Sequence, residues 1–149
     1  MRLDSVEEIL RFAIRKEADA ATTYRIAADR ARPGVKKFFE ELAEEELGHR
    51  RRLEGFDLKQ IGQVEVKERK GLGLSETIED IPFGPELTYG ELLRAAIKNE
   101  ERSQRLYEST AQLVADADLK KLLLLLAHEE SMHKERLEKI YDSEILTEF

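Results

Sequence analysis

Two short segments hold the residues best able to do chemistry in this chain: Glu46-Leu47-Gly48-His49 and Glu130-Ser131-Met132-His133, both Glu-x-x-His. On a helix, an i, i+3 pair lies on one face with its side chains about 60° apart. A carboxylate oxygen together with an imidazole nitrogen suits iron, manganese or zinc better than calcium or magnesium. The chain has only three histidines, and two of them carry this spacing. Two further glutamates, Glu17 and Glu100, stand in apolar stripes where a leucine would be expected. Leu10 lies about 20° from Glu17 around its helix, and Tyr24 about 20° to the other side. Leu93, Ile97 and Tyr107 surround Glu100 in the same way. Phe39, Leu42, Ala43 and Leu53 bracket Glu46, while Leu123, Leu126, Ala127 and Leu137 bracket Glu130.

Four carboxylates aimed into one core need compensation, because an unpaired buried charge costs several kcal/mol even after relaxation. No Lys or Arg occupies the middle of any of the four stripes; Arg50 and Lys134 sit at their edges. Two divalent cations would balance the four carboxylates. One Glu from each of two helices, with Glu-x-x-His from each of the other two, is the ligand set of dimetal carboxylate bundles. The competing reading is a buried polar network without metal. Tyr24 and Tyr107 lie two turns beyond Glu17 and Glu100, where they would hydrogen-bond to the ligand carboxylates or simply fill core. Glu45, Glu129 and Glu101 adjoin these residues in sequence but are expected to point away into solvent. His128 falls about 160° from Glu130 and is expected on the surface.

The elements that must position this set are helices. Ser5 with Glu8 predicts a capped start for a first helix along Val6, Leu10, Ala13, Ile14, Ala21, Tyr24 and Ala28. A second helix follows Arg32-Pro33-Gly34 and stops near Gly55. A third starts at the Thr88/Glu91 capping box, and a fourth near Asp116 or Asp118, running through Leu123, Ala127, Leu137 and Tyr141. The two hairpins repeat each other. At an offset of 83, Leu10 to Ile14 matches Leu93 to Ile97, Glu17 matches Glu100 and Tyr24 matches Tyr107. At an offset of 84, Leu42 to Glu46 matches Leu126 to Glu130, His49 matches His133, and Leu53 matches Leu137.

The expected fold is therefore all-α: one domain over residues 1–149, with a hairpin at 5–54, a long crossover at 55–87 and a second hairpin at 88–141. The crossover holds most of the glycines, two of the three prolines and the alternating Val64-Glu65-Val66. It is too long for an ordinary turn.

Composition narrows the function classes. The 149 residues fit one domain. A net charge of −7 argues against nucleic-acid binding, which needs a basic face. No apolar run reaches membrane-spanning length; Leu122 to Ala127 is expected to be core or a subunit interface. Without a cysteine there is no disulfide, zinc ribbon, iron–sulfur cluster or thiol nucleophile. The first residues lack a signal-peptide core, so the expected compartment is the cytoplasm.

With these residues in place, the sequence resembles rubrerythrin-type members of the ferritin-like superfamily over nearly its whole length. The segments Leu42-Ala43-Glu44-Glu45-Glu46-Leu47-Gly48-His49 and Ala96-Ile97-Lys98-Asn99-Glu100 to Leu106-Tyr107 carry the likeness. The resemblance implies an antiparallel four-helix bundle and a di-iron centre held by Glu17, Glu46, His49, Glu100, Glu130 and His133. Glu46 and Glu130 would bridge the metals, and Glu17 and Glu100 would each be terminal to one. It also implies a homodimer. Two departures stand out. Rubrerythrins proper carry a cysteine-ligated electron-transfer domain, so here electrons would come from a separate donor protein. They also use a further glutamate one turn beyond the third-helix ligand, where this chain has Ser103. The six-residue set is equally similar to bacterioferritin, although Leu47 stands where that family has its haem methionine. The leading expectation is an oxidoreductase that reduces hydrogen peroxide or dioxygen with two iron ions, in protection against oxidative stress. Manganese or zinc are alternative metals. The rival functions are iron oxidation and storage, a di-manganese catalase, and a non-catalytic helical interaction module.

Overall fold

The computed structural model describes residues 5–57, 60 and 86–145. Four long helices account for most of them: α1 (Val6–Arg30), α2 (Pro33–Glu54), α3 (Tyr89–Ala111) and α4 (Ala117–Glu144). Their starts follow from side-chain chemistry. The first N–H groups of a helix lack intrahelical partners, and three of these helices supply one from the residue before the first turn. The Ser5 hydroxyl accepts from the Glu8 amide at 3.1 Å. Thr88 and Glu91 form the full reciprocal box, with hydrogen bonds of 3.1 and 2.9 Å. The Asp116 carboxylate accepts from the Leu119 amide at 2.8 Å, so Asp116 rather than Asp118 caps α4. α2 has no side-chain cap and opens on Pro33, where a missing N–H removes nothing the helix needs. It stops at Gly55, whose φ of −71° is ordinary right-handed backbone.

The two residues between α1 and α2, and the five between α3 and α4, are too few for anything but antiparallel hairpins. α4 runs on to Glu144, beyond the Tyr141 boundary expected from sequence. Most of the expected crossover, with Val64-Glu65-Val66, lies outside the described residues. Among the described residues, no helix is long and apolar enough to cross a membrane.

The core divides into two apolar layers. One gathers Leu10, Ala13, Leu53, Leu106, Ala111, Leu119 and Leu123 from the starts of α1 and α4 and the ends of α2 and α3. The other gathers Ala21, Tyr24, Phe39, Leu42, Leu93, Ala96 and Leu137 from the opposite ends of the same helices. Each of these buried leucines stabilises the fold by about 1.5–3 kcal/mol relative to exposure. Along every helix the buried residues between the two layers are polar. Glu17, Glu46, His49, Glu100, Glu130 and His133 fill that middle level, each at most 3% exposed.

Candidate metal centre

Each helix delivers its share of the middle layer from the stripe it buries. α1 supplies Glu17 and α3 supplies Glu100, whereas α2 supplies Glu46 with His49 and α4 supplies Glu130 with His133. Their donor atoms form two overlapping groups. Glu17, Glu46, His49 and Glu130 make one, and Glu46, Glu100, Glu130 and His133 the other, with the atoms of each group within 4.8 Å of one another. Glu46 and Glu130 belong to both. All six residues singled out from the sequence are thus brought together, and the repeat reappears as two half-sites sharing two carboxylates.

The histidines face the cluster through Nδ1. His49 Nδ1 is 2.7 Å from Glu130, 3.4 Å from Glu46 and 3.5 Å from Glu17. His133 Nδ1 is 3.1 Å from Glu46 and 3.7 Å from Glu100. The two rings stack with centroids 5.7 Å apart. Their outward nitrogens meet residues that the sequence had placed in solvent. Glu129 reaches His49 Nε2 at 3.1 Å, and Glu45 lies 3.5 Å from His133 Nε2. Each carboxylate is in turn held at 3.3 Å by an arginine of the opposite helix, Arg52 for Glu129 and Arg136 for Glu45. Glu45 and Glu129 therefore act on the site instead of merely being solvated. A carboxylate on the second nitrogen fixes the imidazole tautomer and presents Nδ1 to the cluster. The signal was available: both precede a core glutamate and match at the same repeat offset of 84. Glu101 behaves differently and pairs with Lys134 at 3.4 Å on the outside. His128 is exposed.

The tyrosines are hydrogen-bonded, but crosswise. Tyr24 of α1 donates to Glu100 of α3, and Tyr107 of α3 donates to Glu17 of α1. Both phenols are buried, and burial followed by the neighbouring carboxylate charge raises their pKa well above 10.0. They stay protonated and serve as donors.

Without a cation, the layer compensates by holding protons. Burial, then repulsion from Glu100 and Glu17, pushes Glu46 up to about 8. Burial and the same two carboxylates raise Glu130 well above its ordinary value. Burial works against charge on the histidines, yet contact with Glu17 raises His49, and contacts with Glu100, Glu45 and Glu46 raise His133 to about 12. Glu100 goes the other way, lowered against the effect of burial by its close contacts with Glu130 and with His133. Even so, Glu17 Oε2, Glu46 Oε1, Glu100 Oε2, both Glu130 oxygens and both inward histidine nitrogens lack an aligned hydrogen bond. Buried polar atoms are normally satisfied, and seven unsatisfied donor atoms facing one another fit a metal pair. Oxygen and nitrogen donors, with no sulfur, suit iron, manganese or zinc.

Comparison with known proteins agrees with this geometry. The fold is that of a ferritin-like diiron-carboxylate protein from Thermotoga maritima, with a TM-score of 0.71 over 92% of this chain and 94% of that one, at 22% identity. No curated protein sequence matches. The family model for rubrerythrin matches residues 8–83 and 91–148, taking in both hairpins and all six residues of the buried layer. Because the match runs through both repeats and not one, it places the whole chain in the rubrerythrin family.

Proposed function

We propose that the buried layer holds two iron ions and that the protein reduces hydrogen peroxide, or dioxygen, with electrons from a separate donor protein. The observation that carries this reading is the pair of overlapping donor groups sharing Glu46 and Glu130. Glu17 with His49 would serve one ion and Glu100 with His133 the other. Two adjacent iron ions would supply the two electrons needed to cleave a peroxide bond.

The chain's own residues do the rest. The apolar layers above and below exclude water, which strengthens every electrostatic contact inside. Tyr24 and Tyr107 hold the terminal carboxylates from across the bundle, and their protonated phenols are donors at the edge of the site. Glu129 and Glu45, anchored by Arg52 and Arg136, keep both histidines turned inward. These 149 residues hold no cysteine to ligate an iron–sulfur carrier, and the reading assigns electron delivery to a separate donor. Iron is preferred over manganese or zinc on the family match.

Anaerobic ferrous protein mixed with peroxide in a stopped-flow instrument tests the reading. Oxidation much faster than for ferrous iron in buffer is expected. No acceleration at full metal occupancy would overturn it. Oxygen release without reductant would instead identify a catalase.

A further inference from the structure

The buried layer is closed differently on its two sides. Between α1 and α3 the crossed Tyr24 and Tyr107 span it, each 2% exposed. Between α2 and α4 each histidine turns Nε2 outward onto a carboxylate that itself reaches solvent. Glu129 over His49 is 32% exposed, and Glu45 over His133 is 46% exposed. The cover over His133 opens on a groove of about 560 Å³, lined by Lys37, Glu40, Glu41, Glu44, Glu45 and Arg136.

The sequence repeat supplies the counterpart of this groove over His49. At the offset of 84, Lys37 matches Lys121, Glu40 and Glu41 match Leu124 and Leu125, Glu44 matches His128, Glu45 matches Glu129, and Arg52 matches Arg136. Inside, the two half-sites are the same residue for residue. Outside, their charge is opposite. The groove carries four carboxylates against two cations, and Arg136 is already engaged by Glu45 at 3.3 Å and Glu41 at 4.0 Å. Its counterpart has one carboxylate against two cations, with Leu124 and Leu125 exposed beside them.

Beneath the groove lies a need for cations that does not depend on these surface charges. His133 is buried, and its Nδ1, with Glu46 Oε1 and Glu100 Oε2 close by, lacks an aligned hydrogen bond. The imidazole therefore spans the wall, with Nε2 on Glu45 of the groove and Nδ1 among the unsatisfied donors. Clefts lined by one sign of charge raise the on-rate of an oppositely charged solute by about 10–10³-fold.

We infer that this groove is the route by which divalent cations reach the buried layer, entering over His133 and not over His49. Glu40, Glu41 and Glu44 gather the ion at the mouth, and Glu45 is the last carboxylate before the layer. The inference rests on the metal centre proposed above and gives its loading a direction.

Stopped-flow absorbance of cobaltous ion mixed with the chelator-stripped full chain reads the loading rate without any turnover. At about 0.01 M ionic strength, where charges act over roughly 30 Å, Glu40→Gln with Glu41→Gln and Glu44→Gln should slow loading on the order of tenfold. Final cobalt content should equal that of wild type, and the two rates should converge at about 1 M salt. A control that removes three charges elsewhere, Asp29→Asn with Glu108→Gln and Glu138→Gln, should load like wild type. An unchanged rate in the groove variant, or equal slowing in the control, would overturn the inference and leave the metal centre standing. A groove variant with lower final content would overturn it as well, by making these residues ligands instead of a route. Wild type that takes up no cobalt would overturn the inference and the metal centre together.

Discussion

The two apolar layers and the polar layer between them are built from the same four helices at the same depth, yet they obey opposite rules. In the apolar layers Leu10, Leu53, Leu123 and Leu137 have no exposure and no unmet need. In the middle layer Glu46 and Glu130 are buried as deeply, and the fold retains them at a cost, with both carboxyls driven towards the protonated form. Hydrophobic residues of similar volume would make a more stable bundle there. The difference separates what holds the helices together from what they are held together for.

Metal should reverse the sign of the middle layer, and this is the largest expected effect. Binding to the folded state alone, at a thousandfold excess over Kd, adds about 4 kcal/mol per site, or roughly 10 °C in Tm for a chain of this size. Differential scanning calorimetry with ferrous or manganous ion, then with chelator, reads it. A Tm indifferent to both would remove the contrast between the layers.

Leu123→Ala should destabilise by about 2–5 kcal/mol with or without metal, as measured by urea unfolding, and leave metal content unchanged. Glu46→Met with Glu130→Met should do the reverse. It should stabilise the metal-free protein by about 1–4 kcal/mol and abolish the thermal response to metal. A double variant less stable than the metal-free wild type would mean that the carboxylates contribute to folding by themselves.

The smallest effect concerns neither layer. Thr88→Ala should cost about 1 kcal/mol through loss of the α3 cap. Hydrogen bonds from the Thr88 backbone and hydroxyl hold the Glu91 carboxyl below 4.5. Its contribution is therefore fully present above that pH and fades as pH falls through the lower folded value. The difference between Glu91→Gln and wild type should shrink accordingly in acid unfolding curves.

The fold and the six central residues were legible because the chain states them twice. A glutamate in an apolar stripe is ambiguous once; Glu17 and Glu100 at one offset, with Glu46, His49, Glu130 and His133 at the next, are not. What escaped was whatever depends on which helix lies opposite. Helical angles send Glu45 and Glu129 away from their own helix's site residues, and they do point away, onto the histidine of the facing helix. Spacing left the tyrosines either hydrogen-bonded to the carboxylates or simply filling core, and only the packing of α1 against α3 makes them donors, and crosswise. Spacing along one helix carries no information about its neighbour's register.

The most direct test of the central claim is metal content per chain by elemental analysis, after anaerobic loading with ferrous iron and removal of loose metal. Wild type is compared with Glu46→Ala plus Glu130→Ala, which removes the two shared carboxylates. About two irons per wild-type chain, lost in the variant, is the predicted result. Less than about half an iron in both would contradict the account and leave the buried layer a polar network without metal.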